Sequence, residues 1–299
     1  MGTSVRVELT HADRKLAASA AEAVMQEMHR IDRVMSPFKP ESELSRINRE
    51  ASAAAVPISR EMFDLIRRSI EFARWSGGAF DITFSSIGYL YDYRDRVRPS
   101  DDQIASALPA VDYRHIVLDD GHGTIRFARG GVRIDLGGIA KGHAVDNCIR
   151  LLKAHGVREA MVSAGGDSRV LGSRGGRPWI VGIRDPRRPG SMIAKLPLVD
   201  SAISTSGDYE RYFEEAGVRH HHILDPRTGK SATGNWAVTV IGPDATTTEG
   251  VSKTVFIKGV RAGLRLVESL TDVDAVVVDD GGNMFYSSGL KNPDADTRH

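Results

Sequence analysis

Residues 140–164 read AKGHAVDNCIRLLKAHGVREAMVSA, and the hydrophobic period changes inside them. Ala144, Val145, Cys148, Ile149 and Leu152 recur at three- and four-residue steps, one face of an amphipathic helix, and Gly156 supplies the stop that helix ends favour. Past that glycine the spacing shortens, and AMVSA (160–164) reads as a strand. The switch divides the chain into a helix-rich first half and a strand-rich second half.

Upstream, VRVEL (5–9) alternates like a strand, and Leu16, Ala20, Val24, Met28, Ile31 and Met35 lay one apolar stripe along a helix from Asp13 to Met35. Thr10 and Asp13 stand where a capping pair would start it. A second helix runs from Ser59 as N-cap through Phe63, Ile66, Ile70 and Ala73 to the stop at Gly77-Gly78. Downstream come WIVGI (179–183), KLPLV (195–199), SAIST (201–205), HHILD (221–225) and WAVTVIG (236–242), separated by glycine turns. Two helices near 247–270 precede the strands VDAVVVDD (273–280) and FYSS (285–288). Helices first and strands later predict an α+β fold with antiparallel sheets rather than regular βαβ alternation. One domain over 1–299 is expected, with a soft lobe boundary near 95–130, where RDRVRPSDD and DDGHG are polar and turn-rich.

Composition narrows the function. Forty Lys+Arg against 39 Asp+Glu leave a net charge of +1, too balanced for a chain whose main task is neutralising nucleic-acid phosphates. Cys148 is the single cysteine, which excludes an intramolecular disulfide and a cysteine zinc site. No stretch approaches the roughly 18 apolar residues of a membrane span. Serine-hydrolase elbow, P-loop and dinucleotide-fold glycine motifs are absent from the sequence. What stands out is 30 glycines, several of them paired.

The first pair lies in Asp135-Leu136-Gly137-Gly138-Ile139-Ala140-Lys141-Gly142, a strand end leading into a helix. Free N–H groups, the helix dipole and Lys141 make it readable as a phosphate cradle, or as a tight turn with a surface lysine. The second, Ser163-Ala164-Gly165-Gly166-Asp167, suits close ligand approach but equally a plain hairpin turn with an exposed Asp. Hydroxyls at Ser204-Thr205-Ser206-Gly207-Asp208-Tyr209 are possible phosphate donors, and His222 has the pKa range for proton transfer. On a strand His220 and His222 would share a face, yet no third metal ligand is legible. Glu249, read as lying in the first turn of its helix, fits ordinary dipole chemistry or a Mg²⁺ ligand.

In chain order these segments resemble the ApbE family of FAD:protein FMN transferases. The likeness runs from Met1-Gly2-Thr3 and Phe38-x-Pro40-x-Ser42-Glu43-Leu44-Ser45-x-Ile47-Asn48, through Gly78-Ala79-Phe80-Asp81-Ile82-Thr83 and the segments above, to His222-Ile223-Leu224-Asp225-Pro226-Arg227-Thr228-Gly229. The resemblance implies a T-fold-related architecture of mixed antiparallel sheets with flanking helices and a ligand cleft between two lobes. It implies cleavage of FAD with Mg²⁺, attachment of FMN by a phosphoester to a Thr or Ser of a partner flavoprotein, and release of AMP. The alternative readings of the same site are a Mg²⁺-dependent FAD pyrophosphatase and a non-catalytic FAD-binding protein.

Carried over residue by residue, the carbonyl of Gly138 and the side chains of Glu249 and Ser252 would hold Mg²⁺. His222, Lys141 and Asp208 would form the catalytic set, with His222 as proton acceptor and Lys141 on the phosphates. Met1, Phe38, Ser42, Glu43, Asp81, Thr83, Asp135, Gly137, Gly165, Gly166, Asp167, Thr205 and Ser206 would contact FAD. The chain departs from the family where Glu249 replaces Asp, Lys253 replaces Thr, Ser163 replaces Asn and Phe38 replaces Tyr. Either Ser252 supplies the missing oxygen, or the ammonium of Lys253 takes over charge from the metal. Many members of the family are exported and lipid-anchored; no signal segment or lipobox precedes Met1 here, so the expected envelope location rests on the family alone.

Overall fold

The computed structural model describes residues 2–290. Strand β1 (Val5–Thr10) leads into α1 (Arg14–Met35), α2 (Glu43–Glu50), the short β2 (Val56–Pro57), α3 (Arg60–Ser76), α4 (Ser85–Gly88) and α5 (Asp101–Ala107). The hairpin β3 (Ile116–Asp119) and β4 (Thr124–Phe127) precedes α6 (Ala140–Ala154). Strands β5 (Glu159–Ala164), β6 (Asp167–Leu171), β7 (Trp179–Arg184), β8 (Met192–Leu198) and β9 (Ala202–Gly207) follow. Then come β10 (Tyr212–Glu215), β11 (Val218–His221), β12 (Leu224–Asp225), β13 (Lys230–Ser231) and β14 (Asn235–Gly242). The last elements are α7 (Ala245–Lys258), α8 (Val260–Val267), β15 (Asp274–Asp279) and β16 (Met284–Tyr286).

Seven strands form the main sheet in the order β1-β5-β6-β9-β14-β15-β16, and every strand pairing among the described residues is antiparallel. The expected α+β class with antiparallel sheets is therefore observed. Period-two alternation gives this sheet two faces. On β5, Ala160, Val162 and Ala164 face a large core shared with α1, α3 and α6, while Met161 packs on the opposite face beside Trp179 and Leu198 of the β7–β8 hairpin. A smaller cluster around Val238, Val251, Phe256 and Val277 closes the space between α7, α8 and strands β14 and β15. Phe72 on α3 touches both this cluster and the large core.

Local signals set the helix ends. Asp13 accepts from Lys15 N and Leu16 N, Ser59 accepts from Met62 N, and Gly77 closes α3 in the left-handed conformation at φ 64°. Thr10 belongs to β1 and takes no part in the cap. The HHILD run is split between β11 and β12, because His222 and Ile223 leave the ladder. Strand β6 was not legible: DSRVL lacks clean alternation, and only its pairing with β5 and β9 makes it a strand.

Two long-range devices seat α7 against α6. Asp146, on α6, accepts from Ala245 N and Thr246 N at 2.9 Å each and from Thr246 Oγ1 at 2.6 Å, capping the start of α7 from another helix. Gly142 lets the two backbones meet, since a Cβ there would lie 2.2 Å from the Ala245 carbonyl oxygen. Gly142→Ala is expected to lower stability by about 1–3 kcal/mol, the usual cost of overpacking. Urea denaturation checks this, and an unchanged midpoint would show that the helices can separate freely.

Candidate active site

The α6–α7 crossing and the helix-facing side of β6 and β9 build a polar cluster. Asp135 leads the loop into α6, its Oδ1 accepting from Gly137 N at 2.5 Å, and burial raises its carboxyl above the usual range. Gly137 and Gly138 then turn the chain, and Gly142 N donates 2.8 Å to Glu249 Oε2. Lys141 Nζ bonds Glu249 Oε1 and, at 2.6 Å, Asp167 Oδ2. Glu249 is 0% exposed and Asp167 2%. The glycine pair 165–166 is indeed a hairpin turn between β5 and β6, but Asp167 is buried rather than exposed.

These bonds change the expected roles. The Lys141 ammonium holds two carboxylates together instead of facing open space for phosphates. Glu249 sits in the second turn of α7, because the helix starts at Ala245 with Asp244 as N-cap. Ser252 Oγ donates to the Glu249 carbonyl at 2.9 Å and lies 2.8 Å from Ser206 Oγ. One turn beyond Glu249, Lys253 Nζ donates to Ser206 Oγ at 2.7 Å. Burial and the charge of Lys141 bring the Lys253 ammonium down to about 8, so it remains mostly charged at neutral pH.

The donor set does not fit Mg²⁺ at Gly138, Glu249 and Ser252. Mg²⁺ demands a near-octahedral shell of oxygens. Both Glu249 oxygens are engaged by an ammonium and an N–H, Ser252 is committed to two other oxygens, and a second ammonium stands alongside. Among the described residues no group of three or more His, Cys, Asp or Glu forms a metal cluster. His220 and His222 likewise make no metal pair, since His222 lies outside β11 and the His220 ring packs on Phe213.

His222 enters from the loop after β11, where its N–H donates to the Arg211 carbonyl at 3.1 Å. Its Nδ1 is buried with no hydrogen-bond partner. Burial, then the charge of Lys253, with His221, Arg211 and Lys141 adding to it, holds the imidazole well below its ordinary range and neutral at pH 7. Below about pH 6.5 the unfolded chain takes up a proton that native His222 refuses, so stability falls on acidification. Glu61, depressed first by His143 and then by Arg30 and Asn147, adds a further loss below the ordinary carboxylate range, where the unfolded chain protonates first. Buried His221 is held low in the same way, so melts at stepped pH should show both limbs, and His222→Gln should shrink the upper one while leaving the lower unchanged.

Asp208 does not stand free as a catalytic group. Arg187 donates to its two oxygens at 2.7 and 2.6 Å, and Arg219 approaches to 3.5 Å. Arg187 in turn stacks over Trp236 at 4.2 Å.

Several other expected ligand contacts serve local structure. Ser42 caps α2 and donates to the Ser36 carbonyl, and Glu43 accepts from Ser59 N and Oγ. Asp81 accepts from Thr83 N, Thr83 Oγ1 and Tyr113 N, and burial raises its carboxyl. Phe38 is 83% exposed and Met1 lies outside the described residues.

On the other face of the sheet a cleft of about 700 Å³ opens between β1, β5, β6 and the β7–β8 hairpin. Gly165, Gly166 and Thr205 line it, with Tyr209, Trp179 and Arg184. The expected contacts therefore divide: these three look onto the cleft, whereas Lys141, Asp167, Ser206 and Ser252 join the helix-side cluster. The Gly165–Gly166 turn is where the two regions meet. Asp146 and Arg187 were missed from sequence. Helical spacing puts Asp146 one turn after Gly142, but nothing local names its partner on α7.

The sequence model of the ApbE family matches residues 1–277. An FAD:protein FMN transferase of Treponema pallidum is 33% identical over 310 residues, covering 97% of this chain and 85% of its own length. The ApbE protein of Thermotoga maritima superposes with a TM-score of 0.90 at 35% identity, covering 97% of this chain and 95% of that one. Flavin transferase ApbE from Vibrio cholerae, with the same coverage, gives 0.86 at 26%.

Proposed function

This chain belongs to the ApbE family, and on that footing we infer that it is an FAD:protein FMN transferase. The chemistry follows as a phosphoryl-type transfer. A Thr or Ser hydroxyl of an acceptor flavoprotein attacks the phosphorus on the FMN side of FAD, the bridging P–O bond breaks, and AMP leaves with its electron pair. Such a reaction asks for positioning, positive charge on the phosphates and a base at the attacking hydroxyl.

The observation that carries this reading is the pairing of a neutral His222, its Nδ1 orphaned, with the Lys253 ammonium whose charge acts on it. His222 accepts the hydroxyl proton. A pyrophosphate beside it offsets the neighbouring cations and raises the imidazole toward neutrality, where a general base works best. Lys141, Glu249 and Asp167 brace the α6–α7 crossing that aims these groups. The Mg²⁺ requirement implied by the resemblance is not carried over, since the donor set does not fit.

The test is to incubate the protein with FAD and a Thr-containing acceptor domain and to follow AMP together with acceptor mass. AMP with an FMN mass increment is the expected result. AMP without the increment makes the chain a pyrophosphatase, and bound FAD with neither makes it a binding protein; both outcomes sink the transferase reading.

A further inference from the structure

We propose that Lys253 supplies, from the chain itself, the positive charge that FAD's pyrophosphate requires, in place of a divalent cation at the Glu249 position. The inference rests on the transferase reading for its ligand and goes beyond it in naming a further catalytic residue. Two lysines meet in the helix-side cluster, and they are bonded differently. Lys141 holds Glu249 on one side and Asp167 on the other, so its charge is consumed within the fold. Lys253 has no carboxylate within ion-pair distance among the described residues, and its one hydrogen bond there is the 2.7 Å contact to Ser206 Oγ.

An ammonium has three N–H donors, so this bond leaves two for a ligand. Holding a desolvated ammonium without a paired carboxylate is costly unless an anion completes it. A second observation points the same way. The Nδ1 of His222 is buried without a hydrogen-bond partner, and the charge of Lys253 acts on that ring. Gly138 lets the loop backbone lie against the lysine stem: a Cβ there would stand 3.7 Å from Lys253 Cγ and 3.3 Å from the Phe80 ring. The cluster thus joins a cation with spare donors, a neutral imidazole and a glycine whose backbone lies beside the lysine, the set a pyrophosphate needs.

In the transfer, the acceptor oxygen forms a bond to the FMN-side phosphorus as the bridging P–O bond breaks. The hydroxyl proton goes to His222, and the electron pair departs on the AMP phosphate, where the Lys253 ammonium offsets the growing charge. No oxidant or reductant enters, and no metal is needed for the balance.

The experiment measures FAD binding by flavin fluorescence, and AMP release in parallel, in EDTA and in millimolar MgCl₂, for wild type, Lys253→Met and Lys253→Arg. Thermal melts confirm that each variant is folded. Wild type should bind FAD equally in both buffers within about twofold. Lys253→Met should weaken binding in EDTA by about 10–100-fold, the loss expected for charge-assisted hydrogen bonds, while Lys253→Arg keeps most of it. The proposal is overturned if EDTA abolishes wild-type binding and Mg²⁺ restores it, if Lys253→Met binds FAD as wild type does, or if no FAD binds at all. Binding that depends on Lys253 and ignores EDTA, with no AMP released to any acceptor, would sink the transferase reading and leave the assignment of Lys253 standing.

Discussion

Replacing His222 with alanine is expected to slow FMN transfer by about 10²–10⁴-fold, the usual worth of a positioned general base. The loss should fall on kcat. His222 meets the attacking hydroxyl, whereas the pyrophosphate is held mainly by Lys253, so FAD affinity should change only a few-fold. The imidazole is suited to this task because it is neutral in the free protein and its Nδ1 has no internal partner to release first. Single-turnover AMP release across pH is the direct measurement. Wild type should lose rate on the acid side as the imidazole protonates, and the alanine variant should lack that limb. A variant with full kcat and an unchanged pH profile would remove His222 from the chemistry.

The second large effect is on stability. Lys141→Met should cost about 3–5 kcal/mol, because it leaves two buried carboxylates facing each other without their shared cation. Glu249 is fully buried and Asp167 nearly so, and both bond the same ammonium. The discriminating measurement is a urea titration of the single variant beside Lys141→Met combined with Glu249→Gln. The double variant should recover most of the loss, since a neutral amide removes one of the opposed charges while still accepting from Gly142 N. Equal destabilisation in both would mean that Lys141 acts through packing of its stem.

Local rules made much of the fold legible. Ser59 and Gly77 bound α3 as their side chain and backbone freedom dictate, and Gly156 stands just beyond the end of α6. The same rules misled wherever a partner lay far along the chain. Thr10 looks like a cap and is a strand end, because its backbone pairs with Glu159. Asp167 looks like an exposed turn residue, and the ammonium of Lys141 draws it inside. Ser42, Glu43, Asp81 and Thr83 sit in motifs that suggest ligand contact, yet their polar atoms bond neighbouring backbone and hydroxyl groups and, for Thr83, the Asp81 carboxylate. The family likeness reached the transferase class because seven motifs in order are specific even where each alone is weak.

By itself, the sequence determined the helix-to-strand order, the main helix ends and the glycine pairs that let backbones approach, because these depend on spacing and on residues within a turn or two of one another. Tertiary structure alone decided the charge state of the site. Lys141 and Glu249 are 108 residues apart, and Lys253 and Ser206 are 47 apart. Electrostatic partnership falls off within a few ångströms in space and has no period along the chain, so only the α6–α7 crossing reveals which lysine is consumed and which has N–H donors to spare.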